Sequence, residues 1–187
     1  MVDLLDLQKH FILAHLKEGD VAADFTMGNG HDTAFLSKTV GPTGHVYAFD
    51  IQPLALENTK KTLAAENCPD NCTLTLASHD TARDYIPGKI RAGMFNLGYM
   101  PGSGNKSLTT MRKTTLPAVE RAIAMLDEDA ILLIAVYPGH AEGEAEGREL
   151  AAYLETLPRW TYTVARFQML NSPTSPFFMI VETKGSK

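Results

Sequence analysis

The amino-acid sequence predicts an open α/β sheet, mostly parallel, with helices on both faces. Three observations carry that expectation. Short apolar runs alternate with segments of helical periodicity along most of the chain. The run AILLIAV at 130–136 is apolar without alternation, the pattern of a strand buried on both faces. A glycine turn joins the first apolar run to a helical segment, and an acid closes the next run.

The elements follow in order. Leu4, Leu5, Leu7, Phe11, Ile12 and Leu16 fall on one helical stripe that Gly19 stops. A short strand is expected at 21–25, a helix at 32–40 broken by Gly41-Pro42-Thr43-Gly44, and a strand at 45–50. Residues 53–66 read as a helix, with Pro53 tolerated in its first turn. Strands follow at 72–76 and 91–97, then a long helix at 107–126 with Pro117 as a kink. After the strand at 130–136 come a helix at 143–157 and strands at 162–168 and 177–182. Five strands with intervening helices, then two closing strands, make one open sheet. The lysines at 184–187 read as a solvated tail.

Composition bounds the rest. With 187 residues, 44% hydrophobic and 21% charged, the chain is ordinary globular material, expected as a single domain over 1–187. Folding should bury roughly 70% of the extended-chain surface. Cys68 and Cys72, four apart, support neither a disulfide scaffold nor a structural zinc site, and no metal site is expected. The N-terminus carries acids where a signal peptide needs bases, and no apolar run approaches the roughly 18–20 residues of a membrane span. A cytoplasmic protein without a membrane partner is the expectation. The net charge of -5 argues against gripping nucleic acid over the whole surface, DNA included, but permits a local basic patch.

The most informative stretch is Asp24-Phe25-Thr26-Met27-Gly28-Asn29-Gly30-His31-Asp32-Thr33. Gly28 and Gly30 remove side chains at a strand-to-helix turn, so a ligand can approach the backbone and the free N–H groups of the helix start. Asp50 ends the next strand, where a carboxylate can accept both hydroxyls of a ribose. There is no third glycine of a dinucleotide fingerprint and no Walker lysine, so a ribose-bearing ligand without pyrophosphate fits best. Asp24 either orients the turn or meets a positive ligand group. Asp32 is either a first-turn complement to the helix dipole or a site residue.

A second constellation is Asn96-Leu97-Gly98-Tyr99, at the end of the fourth strand. The Asn96 carbonyl can accept a hydrogen bond from an amine, and the Tyr99 ring can cover a cationic or planar group. The competing reading is a turn asparagine and a core tyrosine. Lys106, Arg112 and Lys113 form the densest local positive charge, suited either to phosphate contact or to a solvated helix start. His140, after the AILLIAV strand, suits proton removal, phosphate contact or a plain surface position.

These motifs resemble those of class I S-adenosylmethionine (SAM)-dependent methyltransferases. More closely, DFTMGNGHDTAFL, VYAFDIQPLAL, NLGYMPGSGNKSLTT and YPGHAEGEAE resemble the small bacterial rRNA methylase family, over nearly the whole chain. The resemblance implies a Rossmann-like methyltransferase fold with seven strands, the last antiparallel. It implies SAM as cofactor, with Asp24, Thr26, Gly28, Asn29 and Gly30 around the turn, Asp50 and Gln52 at the ribose, and His79 and Asp80 near adenine. It implies tRNA as partner, in a homodimer, and transfer of methyl to the amino nitrogen of 5-aminomethyl-2-thiouridine at the wobble position. Asn96 and Tyr99 have the spacing of the Asn-Pro-Pro-Tyr motif of amino-group methyltransferases, with Leu97 and Gly98 replacing the prolines. Asn96, Tyr99, Asp32 and His140 are then the catalytic candidates. The alternatives are methylation of another RNA site or a small amine, and a noncatalytic nucleoside- or RNA-binding protein.

Overall fold

The computed structural model describes residues 4–98, 112–138, 141–172 and 174–185. An opening helix, α1 (Leu4–His15), precedes β1 (Val21–Asp24), α2 (His31–Val40), β2 (His45–Asp50), α3 (Pro53–Ala65) and β3 (Cys72–Leu76). A 3-10 helix at His79–Asp84 leads to β4 (Ile90–Leu97), α4 (Arg112–Met125), β5 (Leu126–Val136), α5 (Ala141–Leu154), β6 (Tyr162–Phe167) and β7 (Phe177–Thr183). The strands form one seven-stranded sheet in the order β3-β2-β1-β4-β5-β7-β6. The first five are parallel, and β7 runs antiparallel to both β5 and β6. Seven strands with an antiparallel last one is what the family resemblance implies.

The AILLIAV run explains itself once both faces are seen. Leu132, Ile134 and Val136 pack with Ala118, Val119 and Ala122 of α4 and Leu150 and Leu154 of α5. Ile131, Leu133 and Ala135 point the other way, into a core with Ile12 and Leu16 and with Leu36 and Val40 of α2. Every residue of the run is buried, so apolar side chains are needed without alternation. On the first face Phe25 and Phe95 stack with centroids 4.4 Å apart, and Phe49 lies 6.2 Å from Phe25. A side chain at Gly93 would meet Leu132 Cδ1 at 2.7 Å and Phe25 Cε2 at 3.0 Å; the glycine leaves that room to the ring.

The structure departs from the sequence expectations in four places. The 3-10 helix at His79–Asp84 has no apolar periodicity to announce it. Strand β5 starts at Leu126 rather than 130, because three exposed acids, Asp127–Asp129, continue the strand with no hydrophobic signal. Helix α5 is shifted toward the N-terminus, and α4 is described only from Arg112, so 107–111 lie outside the described residues. Lys184 is not part of a free tail: its backbone N–H donates to Thr161 O at 2.9 Å.

One buried polar knot ties α2 to the outer strand. Ser37 Oγ donates to Asn71 Oδ1 at 2.6 Å, while Asn71 Nδ2 donates to Ser37 O at 3.0 Å and Gly41 O at 2.7 Å. Asn71 thus satisfies carbonyls at the end of α2 that water cannot reach. Replacing it by alanine removes all three bonds and leaves the fully buried Ser37 hydroxyl without its acceptor, and Asn71→Ala should lower stability by on the order of 3 kcal/mol, measured by urea denaturation. The loss should be larger than for alanine at the exposed Asn67.

Candidate active site

The order of the sheet reverses at β1, whose neighbours are β2 on one side and β4 on the other. In an open α/β sheet this switch point opens a crevice at the carboxyl ends of the strands. The turn after β1 lies there and is built around a carboxylate. Asp24, 1% exposed, accepts from Thr26 N at 3.1 Å and from Thr33 Oγ1 at 2.6 Å, so the turn and the first turn of α2 share one anchor. Gly28 and Gly30 have φ of 48° and 82°, which L side chains adopt with strain. A Cβ at Gly30 would also lie 2.7 Å from Thr59 Cα. Helix α3 locks the turn from outside: Thr62 Oγ1 donates to Asn29 O at 2.7 Å and Asn58 Nδ2 to Asn29 Oδ1 at 2.9 Å.

Asp50 closes β2 beside this turn. Its carboxylate accepts from Gly28 N at 3.1 Å and Gln52 N at 2.9 Å, and burial raises its pKa against those bonds. A third backbone bond comes from Ile51, and a carboxylate with about four lone-pair sites still has capacity for a ligand hydroxyl. Ile51, 57% exposed, offers an apolar surface next to it. Gln52 is the N-cap of α3 and its side chain makes no capping bond. His79 and Asp80 begin the 3-10 helix, half-buried. His79 Nε2 is buried with no hydrogen-bond partner among the described residues, and burial lowers the ring's pKa. Its ring meets Phe95 edge-on at 5.7 Å.

The third wall is Asn96 on β4. Its backbone N–H donates to Thr26 Oγ1 at 2.7 Å, which joins β4 to the glycine turn. Its Nδ2 donates to Asp32 Oδ2, and Tyr137 Oη, just beyond β5, donates to its Oδ1 at 3.4 Å. The amide is therefore held in one orientation, with its N–H side on the carboxylate. Asp32 lies in the first turn of α2 and its pKa is raised chiefly by burial, opposed by Lys9 and by the Asn96 bond.

The structure thus brings Asp24, Thr26, Gly28, Asn29, Gly30, Asp32, Asp50 and Asn96 into one connected turn and crevice. Lys113 is exposed near the start of α4, and Arg112 opens that helix. Tyr99, Lys106 and His140 lie outside the described residues. Cys68 and Cys72 flank the start of β3, at the opposite edge of the sheet, with thiol pKa values raised by burial. The supporting groups Thr33, Asn58 and Thr62 were not singled out from sequence; the polar spacing of Asn58 and Thr62 along one face of α3 is the signal that could have found them.

A family model described as "Putative rRNA methylase" matches residues 46–182. The chain belongs to the rRNA methylase family. A curated relative, the tRNA (mnm(5)s(2)U34)-methyltransferase, chloroplastic, of Arabidopsis thaliana, is 36% identical over 176 residues, covering 89% of this chain. The chain spans 64% of that plant protein's length. Among solved rRNA methylase relatives, a "putative rRNA-methylase" from Clostridium thermocellum superposes with a TM-score of 0.93 at 35% identity, over 98% of each chain. A "putative methyltransferase" from Streptococcus mutans, solved in complex with SAH, gives a TM-score of 0.88 at 35% identity, over 98% of this chain and 99% of that one. The fold is the Rossmann-like class I methyltransferase fold.

The buried anchor of this rRNA methylase turn has a consequence for pH. Asp24 has its pKa raised to about 7, by burial first and then by the Asp32 charge, with the Thr33 and Thr26 bonds opposing. The folded chain holds a proton that the unfolded chain, titrating near 3.8, has released. The Asp24 contribution to stability is therefore full below 3.8 and is lost as pH rises to about 7. Asp24→Asn should flatten the decline of stability across that window, as read from denaturation midpoints at pH 5 and pH 8. An unchanged slope would mean that Asp24 is already ionised at pH 5.

Proposed function

We propose that this chain is a SAM-dependent methyltransferase acting on tRNA. The acceptor we infer is the amino nitrogen of 5-aminomethyl-2-thiouridine at the wobble position, converted to the 5-methylaminomethyl form. The observation that carries this reading is the Asn96 amide, oriented by Asp32 at the switch point beside a ribose-type carboxylate. Family membership and the plant relative support the reaction class and the RNA substrate. The proposed enzyme works as a cytoplasmic homodimer; among the described residues no helix is long and apolar enough to cross a membrane.

The crevice suits SAM by the chemistry of its donors and acceptors. Asp50 has capacity for ribose hydroxyls, the exposed Ile51 gives an adenine face, and the buried, unpartnered His79 Nε2 lies beyond the neighbouring strand. Asp24, Thr26, Gly28, Asn29 and Gly30 form the turn that would receive the methionine end. When bound, SAM supplies a methyl group already activated on a sulfonium. What remains for the chain is to present a neutral nitrogen in line and to favour positive charge as it develops there.

Asn96 does the first. With Nδ2 committed to Asp32, its carbonyl Oδ1, which accepts the 3.4 Å bond from Tyr137 Oη, has a second lone pair that can accept an N–H of the incoming amine. The same carbonyl dipole, backed by the Asp32 carboxylate, opposes the positive charge that grows on nitrogen. Tyr137 Oη, on the other side of Oδ1, limits rotation of the amide. In this reading Tyr99 covers the acceptor base, His140 lies on the proton exit, and Lys106, Arg112 and Lys113 meet phosphates.

The direct test incubates the purified protein with labelled SAM and tRNA bearing aminomethyl-thiouridine, then identifies the nucleoside by mass spectrometry. Label on another base, or none on RNA, would overturn the acceptor assignment. Asp50→Ala should weaken SAM binding by about 1.5–3 kcal/mol, roughly ten- to a hundredfold, in calorimetric titration. Asn96→Ala should lower the single-turnover methyl-transfer rate by about tenfold to a thousandfold, with little change in affinity for SAM or tRNA. A folded N96A protein with the wild-type rate in rapid quench would remove Asn96 from the chemistry.

A further inference from the structure

On the far side of β5 from Asn96, still at the carboxyl edge of the sheet, a groove of about 160 Å³ runs between α5 and the β6–β7 hairpin. Its floor is Phe177, 4% exposed, and Arg166 lays its guanidinium 3.8 Å above that ring. Arg166 is itself exposed, so the plane resting on Phe177 has a second face turned away from it. Gly147 keeps the groove open: a side chain there would approach Val136 Cγ1 at 3.0 Å and Phe177 Cζ at 3.1 Å. At the rim Arg148 pairs with Glu144 at 3.7 Å, with side chains 73% and 54% exposed. So open a pair contributes little and exchanges readily for another anion.

The register fixes where this groove lies relative to the site. Phe177 pairs with Val136 of β5, and Val136 pairs with Leu97, the residue after Asn96. Two strand spacings, roughly 10 Å, separate the backbones of Phe177 and Leu97. The Asn96 side chain leaves β4 on the other face, so a nucleotide next to one held at Asn96 would reach the groove by crossing the carboxyl edge of the sheet. A planar cation backed by an aromatic ring is a platform for a nucleobase, and a second arginine at the rim suits its phosphate.

We propose that the groove between α5 and the β6–β7 hairpin binds an unpaired base flanking the target nucleotide, stacked on Arg166, with Arg148 on the adjoining phosphate. The proposal rests on the reading of this chain as an RNA methyltransferase. The pocket-like groove takes one base rather than a protein surface, and its two arginines against one glutamate favour a polyanion.

The test compares wild type, R166A, R166K and R148Q for binding to an unmodified tRNA transcript and to a short oligouridine, by fluorescence anisotropy across a salt series. Stacking predicts that Arg166→Ala weakens binding of both RNAs about tenfold or more, and that Arg166→Lys, which keeps the charge without the plane, recovers little of it. Arg148→Gln should reduce the salt slope by about one. SAM affinity, by calorimetry, should stay at the wild-type value in all three. Wild-type RNA affinity in R166A, or full recovery in R166K, would overturn the platform. So would a shift from dimer to monomer in R166A by sedimentation, which would assign the face to a second copy of the chain. Failure of the functional reading looks different, because wild type itself would then neither methylate nor bind tRNA.

Discussion

The carboxylate of Asp24 is the fixed point from which the site is built. It is almost fully buried at the end of β1 and satisfies Thr26 N–H and the Thr33 hydroxyl at once. Thr26 then presents its own hydroxyl to Asn96 N–H, so the position of β4 at the crevice is referred back to the same carboxylate. From Asn96 the chain of contacts continues to Asp32, which returns to the helix that Thr33 anchors. The loop closes on itself through five residues, Asp24 of β1, Thr26 of the turn, Asn96 of β4, and Asp32 and Thr33 of α2. Such a circuit tolerates little displacement, because moving any member leaves a buried donor or acceptor without its partner.

Packing below the circuit makes it rigid. The stacked rings of Phe25 and Phe95 stand on the opposite face of the two strands that carry Asp24 and Asn96, and Gly93 gives them room. A polar site held between a turn and two strands is only as well placed as those strands are, and here both are central to the sheet. Burial also sets the electrostatics. Asp24, Asp32 and Asp50 all have raised pKa values with desolvation as the leading cause, so three carboxylates gathered at one crevice hold their charge reluctantly until a cation joins them.

Much of this was readable from residue order. The glycine turn, the acid after the second strand and an asparagine at the end of the fourth are local features, each announced by spacing and by the apolar run before it. Residues that work through long-range contacts were not readable in the same way. Thr33, Asn58, Thr62 and Asn71 look like ordinary polar residues on helices or in a loop. Only the approach of another element reveals that their side chains face inward. Tyr137 is a similar case: it reads as a polar residue after a strand, and its bond to Asn96 spans 41 positions of sequence. The 3-10 helix left no trace because HDTARD carries no periodic apolar signal, although its His79 meets the Phe95 ring.

The place of β7 has a bearing on how the chain is made. It is the final strand in sequence yet lies inside the sheet, between β5 and β6, and β6 pairs with nothing but β7 among the described residues. A ribosome therefore releases β5 well before the strand that covers its outer side exists. For the time needed to add the next few dozen residues, on the order of seconds, the apolar AILLIAV segment presents an unpaired edge of the kind that recruits other chains. The sheet cannot be finished piecemeal from that side; it closes only when residues 177–183 arrive. A chain cut before β7 would thus lose two strands from the sheet at once, because β6 joins it only through β7 among the described residues, and quality control would meet an open edge.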